Sequence, residues 1–189
     1  MARPKGVYVA LLRGVNVGGR NRLPMQGLSE VFLRTGCTRV QTYIQSGNVV
    51  FQASDGVARQ LPALALEGIS KRFGLKVPVV VRTAAELKSA ARANPFALAS
   101  ANLDLLHVVF LAGRPTAAQV DSLDPHRSPP DEFRVNGREV YLRLPNGAAR
   151  SKFTNAYFDA KLATTSTVRN WRTVLKLLEM ATAQNAEAS

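Results

Sequence analysis

Residues 13–24 are the segment of the chain whose side chains are best suited to hold an anion. They contain three glycines, three arginines, two asparagines and no acid. Arginine forks and the free backbone N–H groups at the start of a helix both bind phosphate or carboxylate groups. The segment is neither a Walker loop nor a dinucleotide-binding fingerprint, because it lacks Gly-Lys-Ser/Thr and the G-x-G-x-x-G spacing. It therefore predicts an anion site without specifying the anion.

Two further segments that are predicted to begin helices carry the same chemistry. Residues 150–155 read Arg-Ser-Lys-Phe-Thr-Asn, and residues 164–172 combine threonines with Arg169, Asn170 and Arg172. Helix starts carry a partial positive charge, so cations there lower stability unless a negative group compensates. That group is either a bound anion or a carboxylate elsewhere in the fold. Alternatively, the cations are solvated, at a cost of roughly a few tenths of a kcal/mol each.

Residues 45–48, Gln-Ser-Gly-Asn, form another polar motif between two β-rich runs. Such residues predict a hairpin turn with hydrogen-bonding amides. Ser46 has no G-x-S-x-G elbow around it and no histidine in a nearby motif, so a serine nucleophile is not expected.

The elements that position these motifs follow from hydrophobic periodicity and turn residues. Residues 7–12 are apolar throughout, which predicts a strand that is covered on both faces. A helix over residues 25–34, ending at Gly36, is predicted to follow. The βαββαβ order of the ferredoxin-like fold is completed by a hairpin over 40–44 and 49–52, a helix over 55–73 interrupted at Pro62, and a strand over 77–82.

The second half of the chain predicts an αβαββα(α) order. Capping boxes at residues 83–86 and 116–119 each begin a helix, and Asn136-Gly137 is a strong hairpin signal. The chain is thus predicted to be α+β, with two ferredoxin-like subdomains at 1–83 and 84–189. The remaining predicted elements are a strand over 105–112, hairpin strands over 133–135 and 139–144, and a C-terminal helical pair over 152–162 and 168–183.

Composition limits the class of protein and of partner. With 46% apolar residues, the 189-residue chain can bury a core. A net charge of +12 favours an anionic small molecule or nucleic acid as partner, although a basic surface alone gives the same count. No stretch approaches the roughly 18 apolar residues of a membrane span, so we expect a cytoplasmic protein without a membrane partner.

Cysteine and histidine are too scarce for most redox and metal chemistry. Cys37 is the only cysteine, which excludes an internal disulfide and predicts a buried thiol. His107 lies in an apolar run and is predicted to be a core residue, whereas His126 lies in a proline-rich loop. Two histidines do not build a histidine-based metal cluster, so neither a metal nor a cofactor is expected.

The chain contains four motifs in sequence: LLRGVNVGGRNRLPM, TYIQSGNVVF, SKFTNAYFDAKL and TVRNWRTVLKLLEM. Together they resemble the bacterial domain of unknown function family 1697, over about residues 5–181. The resemblance implies a two-subdomain α+β protein with ferredoxin-like halves, but no reaction, because the family's activity is unassigned.

The polar residues of these motifs coincide with the segments singled out above. We expect them to converge on one cleft between the subdomains, with Arg13 and Asn16 on one wall and Arg169 and Arg172 on the other. The full set of predicted ligand-binding residues is Arg13, Asn16, Gly18, Gly19, Asn21, Gln45, Ser46, Asn48, Lys152, Asn155, Arg169, Asn170 and Arg172.

Three functions stay open at this point. The first, which we carry forward, is a binding module for a phosphate-bearing or other anionic ligand, either nucleotide or nucleic acid. The second is an enzyme acting on a small phosphorylated or carboxylated substrate, for which Lys152 and Asp159 are the candidate titratable groups. In the third, the motif residues only hold the two halves together.

Overall fold

A computed structural model describes residues 5–19, 21–97 and 102–186. Within those ranges the fold is α+β, with two four-stranded antiparallel sheets and six α-helices. The chain divides into two compact units. The first comprises Met1–Lys88 and Lys176–Ser189, and the second is Ser89–Leu175.

The first sheet has the strand order β2-β3-β1-β4. Its strands are β1 (Gly6–Leu12), β2 (Thr38–Tyr43), β3 (Asn48–Ala53) and β4 (Val79–Thr83). The helices of this half are α1 (Met25–Arg34), α2 (Asp55–Phe73) and α3 (Ala84–Arg92). The predicted strand over residues 7–12 is confirmed, because β1 is the almost fully buried strand between β3 and β4.

Both faces of the first sheet are covered. Phe32 of α1 and Leu61 of α2 belong to the core on one face, where Phe32 meets Phe51 of β3 edge to face. On the other face, Gln52 donates from Nε2 to the carbonyl oxygen of Gln184 at 3.3 Å, and Gln184 donates in turn to the carbonyl oxygen of Arg39 at 2.8 Å. Near its C-terminal end, the last helix, α6 (Trp171–Ala186), is thus hydrogen-bonded to β3 and β2 through Gln184.

Helix α2 continues through Pro62, so the predicted interruption there is wrong. An internal proline removes one backbone hydrogen bond and costs about 3 kcal/mol. Burial of one face of α2 against the sheet, through Ala58, Leu61, Ala65 and Ile69, offsets that cost. The helix is also well terminated, because Ser54 caps its start and Gly74 ends it in the left-handed conformation.

The second sheet has the order β6-β7-β5-β8. Its strands are β5 (Leu106–Leu111), β6 (Glu132–Asn136), β7 (Glu139–Arg143) and β8 (Ser166–Asn170). The helices of this half are α4 (Ala117–Asp121) and α5 (Asn155–Leu162). Both predicted capping boxes are confirmed, at Thr83 with Glu86 and at Thr116 with Gln119.

The predicted helix over 168–183 is wrong at its start, because residues 166–170 form β8 and α6 begins only at Trp171. Strand β8 pairs antiparallel with β5, from Ser166 opposite Leu111 to Asn170 opposite His107. Without β8, the fully buried β5 would be an unpaired sheet edge. Helices α5 and α6 are therefore separated by a strand and are not the consecutive C-terminal pair that was predicted.

In each sheet, the first strand pairs with the fourth strand, and the two pairs have equivalent registers. Val9 of β1 lies opposite Arg82 of β4, and Val108 of β5 lies opposite Arg169 of β8. Both arginines are buried, with 1% and 7% of their surface exposed. Each donates from Nη1 to the carbonyl oxygen of the preceding residue, at 3.1 Å in Arg82 and 2.8 Å in Arg169. Arg169 thus lies inside a strand, and its predicted position at a helix start is wrong.

Cys37 and His107 are both buried. The prediction of a buried thiol is confirmed, and burial raises the pKa of Cys37. His107 lies in β5 as expected, but its Nδ1 atom has no hydrogen-bond partner among the described residues. Burial lowers the pKa of His107. None of the helices in the described ranges is long and apolar enough to cross a membrane.

We expect His107→Phe to make the stability of the protein less sensitive to acid. Because burial lowers the pKa of His107 in the folded state, the unfolded chain takes up the proton first. Stability is then lost as the pH falls below the usual histidine value of about 6.5, by at most about 1.4 kcal/mol per pH unit. Urea unfolding at about pH 7.5 and 5.5 measures the difference.

The matched control is His126→Phe, because His126 is exposed in a loop. This variant is expected to lose as much stability in acid as the wild type. An equal loss in all three proteins would show that burial of His107 does not contribute to the pH dependence.

Candidate functional site

The loop between β1 and α1 (the β1–α1 loop, described at residues 13–19 and 21–24) is held in shape by Asn16. Asn16 Nδ2 donates to the carbonyl oxygens of Leu23 at 2.9 Å and of Gln45 at 2.7 Å. Its Oδ1 accepts from the backbone N–H of Leu23 at 2.8 Å. The side chain of Asn21 donates to the carbonyl oxygen of Gly14 at 2.9 Å. Both loop asparagines thus bond backbone groups of the protein itself.

The turn between β2 and β3 (the β2–β3 turn, residues 44–47) fits closely against this loop. Gly47 accepts at its carbonyl oxygen from the N–H of Leu12 at 2.8 Å. Its φ is +71°, and a Cβ atom there would lie 2.6 Å from Val15 Cγ2 and 2.7 Å from Leu12 Cβ. Asn48 is buried beside the turn and donates to Ser46 Oγ at 2.9 Å. The two predicted motifs of the first half therefore lie together.

A shallow cavity of about 400 Å³, widely open to solvent, is bordered by the loop and the turn. The described residues that line it are Asn16, Gly19, Arg22, Leu23, Pro24 and Gln45. This volume falls within the range of small-molecule sites, about 300–1,000 Å³. The exposed side chains of Arg22 and Gln45 make no hydrogen bond or ion pair within the described part of the chain. These two polar groups are thus available to a ligand.

The electrostatics of the cavity favour an anion. Pro24 is the N-cap of α1 and supplies no side-chain hydrogen bond, and the first turn of α1 contains no acid. The first backbone N–H groups of a helix have no partner within the helix and carry a partial positive charge. The first acid in the chain is Glu30, and five lysines and arginines precede it. The cavity therefore lies beside an uncapped helix start in a segment without carboxylates.

Lys152 and Asn155 lie before and at the start of α5. The N–H of Lys152 donates to Ser128 Oγ at 3.0 Å, and its carbonyl oxygen accepts from Arg127 Nε at 3.1 Å. The hydroxyl of Ser166 donates to Asp159 Oδ1 at 2.6 Å. The carbonyl oxygen and the Oδ1 atom of Asn155 both lie 3.3 Å from the same hydroxyl oxygen. This cluster surrounds the first residue of β8.

Asn170 and Arg172 lie at the other end of β8. Asn170 Oδ1 accepts from the N–H of Arg172 at 2.9 Å, and its Nδ2 donates to the carbonyl oxygen of Asp104 at 3.1 Å. The guanidinium of Arg172 pairs with the carboxylate of Asp104 and lowers the pKa of that carboxyl. A carboxylate elsewhere in the fold thus compensates Arg172. Ser166 and Asn170 are four residue steps apart along β8, so about 13 Å of strand separates this cluster from the one at Asn155.

Sequence reasoning missed three residues of the first half. Arg22 was not among the predicted ligand-binding residues, although it lies two positions before Pro24 and lines the cavity. Val17 of the loop and Ile44 of the turn are exposed by 62% and 51%. Ile44 has a φ of +48°, a left-handed conformation that is rare for a β-branched residue. No sequence pattern indicates this conformation, because glycine or asparagine normally adopts it.

Residues 6–141 match the family described as "Protein of unknown function (DUF1697)". The chain belongs to this family. The resemblance noted in the sequence is thereby confirmed.

A solved structure of a conserved bacterial protein from Streptococcus pneumoniae is similar to this DUF1697 protein, with a TM-score of 0.68 at 21% identity. The similarity covers 94% of this chain and 99% of the other, and at that identity it shows the fold alone. No curated protein matches the chain significantly.

We expect Gly47→Ala to destabilise this DUF1697 protein by about 2–4 kcal/mol, because the new Cβ is both overpacked and in a left-handed conformation. Gly74→Ala is the matched control, since Gly74 has a φ of +69° and open space around it. Only the conformational cost of about 1 kcal/mol applies there. Urea unfolding gives both values, and equal losses would contradict the close fit of the turn against the loop.

Ile44→Asn is expected to stabilise the protein by about 1 kcal/mol, because asparagine tolerates the left-handed conformation better. The thermal midpoint should rise by about 2–4 °C. Val17→Asn removes a similarly exposed side chain where φ is not positive, and it should give no gain. A lower midpoint for Ile44→Asn would show that Ile44 supports the free fold through packing.

Proposed function

We propose that this protein binds a phosphate-bearing ligand in the cavity beside the β1–α1 loop. One observation carries the proposal: the uncommitted guanidinium of Arg22 lines a cavity of about 400 Å³ next to the uncapped start of α1. Charge-assisted hydrogen bonds from arginine to phosphate are among the strongest in proteins. The unpaired backbone N–H groups at the start of α1 are the further donors that we assign to the same anion.

The residues around the cavity divide into ligand contacts and supports. Arg22 and the amide of Gln45 contact the ligand, whereas the participation of Arg13 and Ser46, which are not among the described lining residues, stays a prediction. Gly18 and Gly19 lack Cβ atoms and have open space around them, which allows a ligand to approach their backbone. The asparagines Asn16, Asn21 and Asn48 fix the shape of the loop and turn through their own hydrogen bonds.

The second half of the chain supports a function for the long β1–α1 loop. Twelve residues (13–24) connect β1 to α1, whereas five (112–116) connect β5 to α4. The start of α4 is closed by its own capping box, and the start of α1 has no side-chain cap. A strand-to-helix connection in this fold therefore does not require the glycine and arginine residues of the first loop.

A binding role fits the lining better than a catalytic one. None of the six described residues that line the cavity is a carboxylate, a histidine or a lysine, which are the usual general bases. The participation of Lys152, Asn155, Arg169, Asn170 and Arg172 in the same ligand site stays a prediction.

We also infer that each half adopts the ferredoxin-like fold. The support is the βαββαβ element order, which occurs once in each half, together with equivalent strand orders in the two sheets.

Inorganic pyrophosphate is the probe that tests the proposal. At a concentration of 100 times Kd, a ligand of the folded state stabilises it by about 2.7 kcal/mol, which raises the thermal midpoint of a protein this size by about 5–10 °C. Arg22→Ala should lower the affinity for pyrophosphate at least tenfold, because charged hydrogen bonds contribute about 1.5–3 kcal/mol. Calorimetric titration measures the affinity.

Arg34→Ala is the matched control, because Arg34 is an exposed arginine at the opposite end of the same helix. It should bind pyrophosphate like the wild type. Equal losses in the two variants would point to general charge attraction, and an unchanged affinity in Arg22→Ala would remove Arg22 from the site.

A further inference from the structure

Strand β6 is a regular and exposed edge strand of the second sheet. The edge strands of the two sheets are β2, β4, β6 and β8. Three of the five residues are buried in each of β4 and β8, whereas none of the five is buried in β6. Strand β2 contains a shift in register, and Gln184 donates to its carbonyl oxygen at Arg39. Strand β6 keeps a continuous register with β7 and pairs with no other strand in the described part of the chain.

The outward-facing backbone groups of β6 belong to Phe133 and Val135. The residues that flank β7, Arg138 and Leu144, form backbone hydrogen bonds on its β5 side. Bonding directions alternate along a strand, so the odd-numbered residues of β7 bond β6, and their partners there have even numbers. The N–H and C=O groups of Phe133 and Val135 therefore point away from the sheet. Their sole partner within the described ranges is Arg134 Nη1, which donates to the Phe133 carbonyl oxygen at 2.8 Å.

Opposite charges flank Phe133 along this edge. The guanidinium of Arg134 lies at the edge itself, because it bonds the outward-facing carbonyl of Phe133. The carboxylate of Glu132 pairs with Arg143 of β7, and 40% of the Glu132 side chain is exposed. Glu132 and Arg134 are on the same face of the strand, since side chains two residues apart point the same way. A cavity of about 290 Å³ adjoins Glu132, Phe133 and Arg134, which leaves space beside the edge.

We infer that β6 pairs antiparallel with β6 of a second copy of the chain, across a two-fold axis at Phe133. The two outward-facing Phe133 residues then exchange their N–H···O=C hydrogen bonds. Glu132 lies opposite the partner subunit's Arg134, and the same ion pair occurs again across the axis. These positions are the non-hydrogen-bonded pairs of the ladder, where side chains of neighbouring strands come closest. Opposite charges placed directly across a ladder stabilise it.

Charge selects this register and this partner. Outward-facing residues must oppose each other, so the two-fold axis lies at Phe133, Arg134 or Val135. An axis at Arg134 brings two arginines face to face, which is destabilising. An axis at Val135 leaves Arg134 without a carboxylate opposite it. Only the axis at Phe133 pairs both charges, because Glu-Phe-Arg read antiparallel is complementary to itself. A strand of another protein satisfies the backbone groups equally well, but this self-complementary charge favours a second copy.

Sedimentation equilibrium of the full chain at low salt tests the pairing. The wild type should form a reversible dimer within about 1–200 µM, the range of a small interface. Glu132→Arg and Arg134→Glu should each weaken the dimer about tenfold or more, because like charges then oppose each other on both sides of the axis. A 1:1 mixture of the two variants should dimerise like the wild type, because every charge then meets an opposite one.

The matched control is Glu67→Arg, which removes an exposed glutamate from an ion pair with Lys71 on α2. It should dimerise like the wild type. Recovery in the mixture also shows that both β6 variants are folded, and thermal unfolding of each variant measures this separately. Arg134→Ala, which adds no new charge, should weaken the dimer severalfold.

Three results would overturn the inference. The first is a wild type that stays monomeric over the whole concentration range. The second is a dimer that the charge reversals in β6 leave unchanged, which would place the interface elsewhere. The third is a pair of folded variants whose mixture remains monomeric, because the assigned register requires the two to complement each other.

Discussion

The side chain of Asn16 is the constraint on which the candidate site depends. Its amide group donates two hydrogen bonds and accepts one, all to backbone groups, and thereby connects the β1–α1 loop to the β2–β3 turn. A planar amide is one of the few side-chain groups that can donate and accept in this way. The positions of Arg22 and Gln45 at the cavity follow from these bonds. Asn16 therefore shapes the site and has no donor left for a ligand.

The sequence predicts most elements whose signals are local. The apolar run of β1, the capping boxes at Thr83 and Thr116, and the Asn136-Gly137 turn each act over a few residues, and the structure agrees with all of them. Strand β8 escaped prediction because its sequence Ser-Thr-Val-Arg-Asn passes directly into α6 without a glycine or proline. Its conformation is decided by pairing with β5, more than fifty residues away.

The same limit applies to the candidate site. Residue type identifies an arginine or an amide, but tertiary contacts decide whether it faces a ligand. Arg22 lines the cavity, Arg169 is buried in a strand, and Arg172 pairs with Asp104. Three arginines from the cation-rich segments of the sequence thus have three different environments. The left-handed conformation of Ile44 is set in the same way, by the hydrogen-bonded fit of the turn against the loop.

The shared register of the two sheets gives residues 8–12 of β1 counterparts at residues 107–111 of β5. Tyr8 and His107 occupy such a pair, opposite Thr83 and Asn170. The hydroxyl of Tyr8 donates to Asp55 at 2.6 Å, whereas His107 Nδ1 has no partner among the described residues. One backbone position thus occurs twice in the molecule with different side-chain chemistry. If residues are exchanged between two such positions, the same side chain can be compared in two equivalent strands of one protein. The contribution of the side chain is then separated from that of its strand.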